Sequence, residues 1–381
     1  MKFNKFGLTV LLCSTVYGFN AMSFETAARN AILMDYDTGE YLFTKNMDES
    51  VPPASMSKLM TVYILMSKIK DGSIKLDDTF SVSENAWRKG GAATGGSTMF
   101  LSIGDNVTVE NLIKGIVIQS GNDACIVVAE NIAGSEDDFV ILMNKTAKNL
   151  GLKNSHFENA TGLPHPDHRM SMEDLAILSR HIIKEFPELY HYFSQKEFVY
   201  NNIKQGNRNP LLYTMKGADG LKTGHTEEAG FCLAASATKG ERRLIEVMSG
   251  MNSNRERSEE AERLMSWGFR EFNNFKILNK NQEIADAKVW YGKEKSVKLV
   301  VADDVLKTVH RSQQENVKVT AEFDEPLKAP IKSGQEVGSV KIEIENQPTV
   351  SVPLIAAENV EETGALGKLW ANVKYFVFGA K

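Results

Sequence analysis

Residues Val51–Lys70 read VPPASMSKLMTVYILMSKIK. From Ser55 to about Ile69 the apolar residues Met56, Leu59, Met60, Val62, Tyr63, Ile64, Leu65 and Met66 cover nearly every face of a helix. A helix that is apolar all round belongs at the centre of a domain. At its start Ser55 stands three residues before Lys58, so the two share a face. Two chemistries fit that pair. A serine at a helix N-terminus caps free backbone N–H groups, whereas a serine beside an amine that can lose its proton is a nucleophile. The spacing alone does not choose, because it recurs at Ser67–Lys70, late in the same helix, and at Ser236–Lys239, on a predicted strand.

The elements around this helix define its domain. Upstream, AILMDYDTGEYLFTKN alternates about Asp37-Thr38-Gly39, which predicts a β-hairpin from Ala31. Downstream, TVENLIKGIVIQ and DACIVVAENIAG read as helices flanking Ser120-Gly121-Asn122, and EDDFVILMNKTAKNLG as another. After Gly217 three strands follow quickly, DGLKTGHT, GFCLAASATKG and RRLIEVMSGM, and then a helix from about Arg255 to Phe272. An N-terminal hairpin and C-terminal strands around a helical insertion predict one α+β domain whose ends meet in a single sheet. Its expected bounds are residues 24–274.

The rest of the chain reads differently. Residues 275–354 are valine-rich and alternating, as in AKVWYG, SVKLVVADDV, VKVTAEF and SVKIEIEN, and predict a small all-β domain without catalytic spacing. Residues 355–381 read as a linker and a short helix. In it Leu366, Leu369, Trp370, Val373, Phe376 and Val377 share a face opposite Lys368 and Asn372. That stretch is below the roughly 20 apolar residues a bilayer span needs, so an amphipathic helix lying in a membrane surface is expected. Residues 1–23 carry Lys2 and Lys5, an apolar core and small residues at Ala21 and Ser23, the layout of a secretory signal peptide.

Composition narrows the function classes. With 381 residues, 42% hydrophobic and 24% charged, the chain is long enough for two folded domains. A net charge of −5 and the lack of basic runs leave no field for a nucleic-acid partner. Past the leader only Cys125 and Cys232 remain, both in apolar runs, which predicts buried thiols and no disulfide framework.

Three short motifs, in order, can assemble an acyl-transfer site. They are Ser55-Met56-Ser57-Lys58 at the start of the buried helix, Ser120-Gly121-Asn122 between helices, and Lys222-Thr223-Gly224 on a strand. A lysine desolvated beside a second cation loses its proton more readily and can serve as base, with Lys222 as that cation. Each motif alone is weak, since Ser83–Asn85 and Lys332–Gly334 imitate the second and third. Together with IQSGNDACIVVAE, GLKNSHFENATGL and DGLKTGHTEEAGFCLAASA, they resemble the serine-type D-alanyl-D-alanine carboxypeptidases among the low-molecular-mass penicillin-binding proteins. The resemblance covers nearly the whole chain after the leader. It implies a β-lactamase/transpeptidase-like fold, an antiparallel sheet between helical layers, followed by the small β domain and the amphipathic helix.

The same resemblance implies roles, position by position. Ser55 attacks the carbonyl between the terminal D-alanines of a peptidoglycan stem peptide, and Lys58 takes its proton. Ser120 passes a proton to the leaving amine, and Asn122 orients Lys58 or the substrate amide. Lys222 and Thr223 hold the terminal carboxylate, beside Gly224. The N–H groups of Ser55 and His225 form the oxyanion hole, and β-lactams acylate Ser55. No cofactor or metal is expected. Arg208 is a further candidate for a carboxylate contact. Family members often carry an arginine near Asn252, where this chain reads SGMNSNRER. His165 and His168 lack an evident third metal ligand and read as a loop of solvated histidines. A serine β-lactamase, a D,D-endopeptidase and a non-catalytic peptidoglycan-binding scaffold are the alternatives.

Overall fold

The computed structural model describes residues 4–10, 24–313, 317–344 and 349–378. The chain divides at Arg270 and Glu271 into two compact units, the second of which also includes the strand Asn4–Val10.

The first unit is built on a five-stranded antiparallel sheet. Its strands are β1 (Asn30–Asp35), β2 (Tyr41–Lys45), β3 (Ala218–Thr226), β4 (Gly230–Lys239) and β5 (Arg242–Met251), ordered β2-β1-β5-β4-β3. The two ends of the unit meet where β1 pairs β5, with Ile32 opposite Val247 and Leu33 opposite Glu246. In a strand successive side chains point to opposite faces, and the core divides accordingly. Ile32, Met34, Cys232, Ala234, Ile245 and Val247 join the cluster of the helical insertion. Ala31, Leu33, Leu233, Ala235, Leu244 and Met248 join Ala261, Leu264 and Met265 of the C-terminal helix. The sheet between two helical layers is the expected fold.

The insertion supplies α1 (Lys58–Lys70), α2 (Glu84–Gly90), α3 (Val109–Lys114), α4 (Asn122–Ala133), α5 (Glu136–Asn149), α6 (Met172–Glu185) and the single turn α7 (Leu211–Thr214); α8 (Asn254–Glu271) closes the unit. Helix starts follow local chemistry. Ser83, Thr108, Ser135 and Ser171 each accept a hydrogen bond from the backbone N–H three residues on, satisfying donors that a helix leaves free at its N-terminus. All of α1 from Lys58 to Met66 is buried.

Two details differ from the sequence reading. The helix expected to begin at Ser55 opens as a 3₁₀ turn, Ala54–Ser57, before α1. Residues three apart eclipse in that geometry, so Ser55 lies over Lys58. The segment before Ser120 continues from α3 as a π-helical turn, Gly115–Gln119, and Ser120 itself is left-handed, at φ 68°.

The second unit has a seven-stranded sheet among its described residues, in the order Asn4–Val10, Val317–Glu325, Glu336–Ile344, Val350–Ala356, Ser296–Val301, Glu283–Trp290, Leu327–Lys328. The run SVKLVVADDV breaks at Ala302–Asp304: Ser296–Val301 stays in that sheet, and Val305–His310 pairs instead with Phe272–Leu278. Asn4–Val10, within the expected leader, is an edge strand running from Asn4 opposite Glu325 to Val10 opposite Val319. At the C-terminus α9 (Ala365–Phe378) exposes Leu366, Leu369, Trp370 and Val373. The side chains of Phe376 and Val377 lie outside the described ones. No helix among the described residues is long and apolar enough to cross a membrane.

Candidate active site

A cleft of about 740 Å³ opens beside the start of α1 and the edge strand β3. Ser55, Ser120, Asn122, Arg208, Thr223, Gly224 and His225 line it, and the buried amines of Lys58 and Lys222 lie beneath. The structure therefore brings every site residue named from the sequence to one place.

Lys58 organises the floor. It is wholly buried, and its Nζ lies 2.9 Å from Ser55 Oγ and 2.8 Å from Asn122 Oδ1, with a third, short contact to the carbonyl oxygen of Thr161. Asn122 Oδ1 and Thr161 O can only accept. A neutral amine would give its two hydrogens to them and leave its lone pair facing Ser55 Oγ, the arrangement a base needs. That state is accessible because the Lys58 pKa is lowered from 10.5 to about 8, chiefly by burial; Cys125 and Asp123 oppose the fall and the charge of Arg208 adds to it. Lys222 is pushed well below its ordinary value, first by burial and then by Lys58 and Arg208. Its Nζ bonds the carbonyl of Thr223. The Ser120 hydroxyl is buried without a protein partner, held in the left-handed backbone conformation that marks a strained functional position.

Backbone contacts fix this geometry. A Cβ at Gly224 would stand 3.1 Å from Pro53 O and 3.3 Å from Ser55 N, so glycine lets β3 press against the turn that carries the nucleophile. Because β3 is an edge strand, its outward-facing backbone groups border the cleft rather than a neighbouring strand. Below Lys222, the strand is held by Asp219, which takes two bonds of 2.7 Å from Arg243 and one of 3.0 Å from Tyr190. Asn209 Nδ2 bonds Gly220 O at 2.6 Å. On the opposite wall the buried Asp123 carboxylate accepts from Thr98 Oγ1 and from the N–H groups of Met99 and Leu101. That fixes the segment in which Ser97 Oγ accepts from Arg208 at 2.6 Å.

The sequence reading missed Arg257. It lies in the first turns of α8, nearly buried, and lines the cleft. Its Nη1 is 3.4 Å from Gly224 O and 3.3 Å from Cys232 O, its guanidinium lies over Phe231, and burial lowers its pKa to about 10. The signal was in the periodicity: Arg257 sits on the buried stripe with Glu260, Ala261, Leu264 and Gly268. The cation sought near Asn252 is therefore supplied five residues later. Among the described residues lining the cleft there is no carboxylate.

The histidine loop needs correction. His168 is not solvated: it is buried, packs edge-on against Phe157, and accepts from Glu158 N through Nδ1. His165 is exposed, and its nearest possible co-ligands are Glu158 and Asp167, all within 4.8 Å of one another. Glu158 already bonds His156. Cys125 and Cys232 are free and buried.

Residues 18–253 match the family described as D-alanyl-D-alanine carboxypeptidase, and residues 272–362 the penicillin-binding protein 5 C-terminal domain. The chain is 42% identical to the D-alanyl-D-alanine carboxypeptidase DacC of Escherichia coli over 90% of its own length and 86% of that protein's. Among solved structures, penicillin-binding protein 5 of Haemophilus influenzae superposes with a TM-score of 0.83 at 38% identity, covering 90% of this chain and all of the other. Penicillin-binding protein D2 of Listeria monocytogenes, solved in an ampicillin-bound form, covers 65% of the chain at 28% identity with a TM-score of 0.57. The chain belongs to the D-alanyl-D-alanine carboxypeptidase family and is a serine-type carboxypeptidase built on the penicillin-binding-protein fold.

Proposed function

We propose that Ser55 is the nucleophile that removes the terminal D-alanine from peptidoglycan stem peptides, with Lys58 as its base. The observation that carries this is the Lys58 amine, held by two acceptors so that its third direction faces Ser55 Oγ. Ser55 Oγ attacks the carbonyl carbon of the last peptide bond while its proton moves to Lys58. The oxyanion is received by the N–H groups of Ser55 and His225, each donor contributing about 3 kcal/mol. Collapse breaks the C–N bond, Ser120 relays a proton to the leaving amine, and D-alanine departs. Water then cleaves the ester and regenerates Ser55.

The lining charges support a substrate with a free carboxylate. Arg208 and Arg257 line the cleft, Lys222 lies buried beside Thr223, and Thr223 itself adds a hydroxyl to the lining. A β-lactam presents a similar carboxylate beside a reactive carbonyl and acylates the same serine. Among the described cleft residues there is no carboxylate of the kind that a serine β-lactamase uses to activate its deacylating water. This favours the carboxypeptidase over a β-lactamase.

The protein works outside the cytoplasm, exported by its N-terminal leader and held on the membrane surface by α9. The exposed Leu366, Leu369, Trp370 and Val373 support the anchor: they offer an apolar face to the headgroup boundary. Removal of the leader takes Asn4–Val10 away and leaves Val317–Glu325 paired on its other side with Glu336–Ile344.

The test is to incubate the protein with a peptide ending in D-Ala-D-Ala and measure free D-alanine, with Ser55→Ala alongside. Release by the wild type and none by the variant is expected. Release undiminished in Ser55→Ala would overturn the assignment, and rapid penicillin hydrolysis with little peptide cleavage would favour the β-lactamase.

A further inference from the structure

The contact that directs the Lys58 lone pair is to a backbone carbonyl, and the turn bearing that carbonyl is built around one side chain. Asn159 Oδ1 accepts from Thr161 N at 3.1 Å, Thr161 Oγ1 at 2.8 Å, Gly162 N at 2.7 Å and Leu163 N at 3.2 Å. Its Nδ2 donates to Leu163 O at 3.0 Å. The turn is seated on the catalytic helix from the other side. Thr61, three residues after Lys58 on α1, donates its hydroxyl to Ala160 O at 2.7 Å, so side chains of one helix face hold two consecutive carbonyls of the turn.

The seat has no slack. Gly162 is left-handed at φ +75°, and a Cβ there would lie 2.0 Å from Ala54 O and 2.6 Å from Ser57 Oγ. Asn159 is only partly buried and does not line the cleft, whereas Gly162 and Leu163 do.

We propose that Asn159 is a positioning residue for the acylation step: by closing the 159–163 turn it holds the Thr161 carbonyl on Lys58, directing the amine's lone pair at Ser55 and keeping water from its other side. The inference rests on the reading of Lys58 as the base. Without the Asn159 oxygen, three donors lose their acceptor and Leu163 N keeps only Thr161 Oγ1, at 3.2 Å; the turn opens toward the cleft, which is where water enters. Hydration of the amine relieves the burial that depresses its basicity, the largest influence on it. The other groups that act on Lys58 stay in place in this comparison: Arg208 as a like charge, with Cys125 and Asp123 opposing it; the neighbouring Lys222 and His168 are themselves pushed down, first by burial and also by Lys58.

The experiment measures acylation of the full protein by a fluorescent penicillin as a function of pH, with melting temperature in parallel, for wild type, Asn159→Ala and Asn159→Asp. In Asn159→Ala the rising limb moves to higher pH, with about a tenfold loss of rate at neutral pH for each pH unit of displacement. Asn159→Asp keeps an oxygen for the four donors and recovers most of the rate. A purely structural role would lower the melting temperature and scale the rate equally at every pH. That outcome, or a profile superimposable on wild type, overturns the proposal. If Asn159→Ala does not fold, Thr61→Val loosens the same turn, and the same two outcomes decide. A wild type that is not acylated at Ser55 contradicts the reading of the site, not of the turn.

Discussion

Lys58 gives the most informative prediction, because its environment fixes both the sign and the size of a pH effect. The side chain is completely buried with no carboxylate bonded to it, and burial lowers its pKa from 10.5 to about 8. At pH 7 that raises the neutral fraction from below one in a thousand to about one in ten, roughly 300-fold, equivalent to about 3 kcal/mol. If the neutral amine is the base, acylation follows its titration, rising about fivefold between pH 7 and pH 8 and levelling off above pH 9. The perturbation is Lys58→Arg, which stays charged throughout that range. Stopped-flow acylation with a fluorescent penicillin reads both proteins. The wild type shows the limb, and the variant loses the reaction by about 100-fold or more, the usual worth of a positioned base. A wild-type rate flat from pH 7 to pH 9, or a variant that keeps the limb, refutes the reasoning.

Three further outcomes follow from other parts of the molecule. Replacing Arg257 by alanine removes a cation from the cleft wall; KM for a D-Ala-D-Ala peptide rises about 10- to 100-fold, the worth of one charge-assisted hydrogen bond, with a smaller change in kcat. Glu246 is fully buried with neither carboxyl oxygen bonded, and burial raises its pKa well above 4.5. Its folded form therefore holds a proton that the unfolded chain releases. Its stabilisation is complete below the unfolded carboxyl range and is lost as pH rises towards the folded value, by up to about 1.4 kcal/mol per pH unit. Glu246→Gln removes that slope, which urea unfolding at several pH values, followed by loss of penicillin binding, measures. Finally, deleting residues 364–381 releases the protein from sedimenting membranes into the supernatant; continued pelleting would show that α9 is not the anchor.

The fold and much of the site were legible because their signals are local. Ser55–Lys58, Ser120–Asn122 and Lys222–Gly224 each occupy a few consecutive residues, and the switch from helical to strand periodicity after Gly217 announced the sheet. What stayed hidden depends on groups that sequence does not label. The third partner of Lys58 is a backbone carbonyl, and any residue at position 161 would supply one. Asn159 and Arg257 reach the site through a turn and a helix face whose approach only tertiary packing sets. The π-turn before Ser120 and the left-handed Ser120 itself have no signature in local composition; the turn opens at Gly115, where a Cβ would collide with Met99 Sδ. His168 was misread because loop composition suggests solvent, whereas the Phe157 ring covers it. The break in SVKLVVADDV came from a turn too short to stand out in a valine-rich run.

The central claim is that the acyl group forms on Ser55. The direct measurement is peptide mapping by mass spectrometry after brief exposure to a penicillin, and to a D-Ala-D-Ala depsipeptide quenched in acid. The account predicts one adduct, on the peptide that carries Ser55, in both cases, and none in Ser55→Ala. An adduct on any other residue, or D-alanine release with no adduct on Ser55 in any quench, would contradict it.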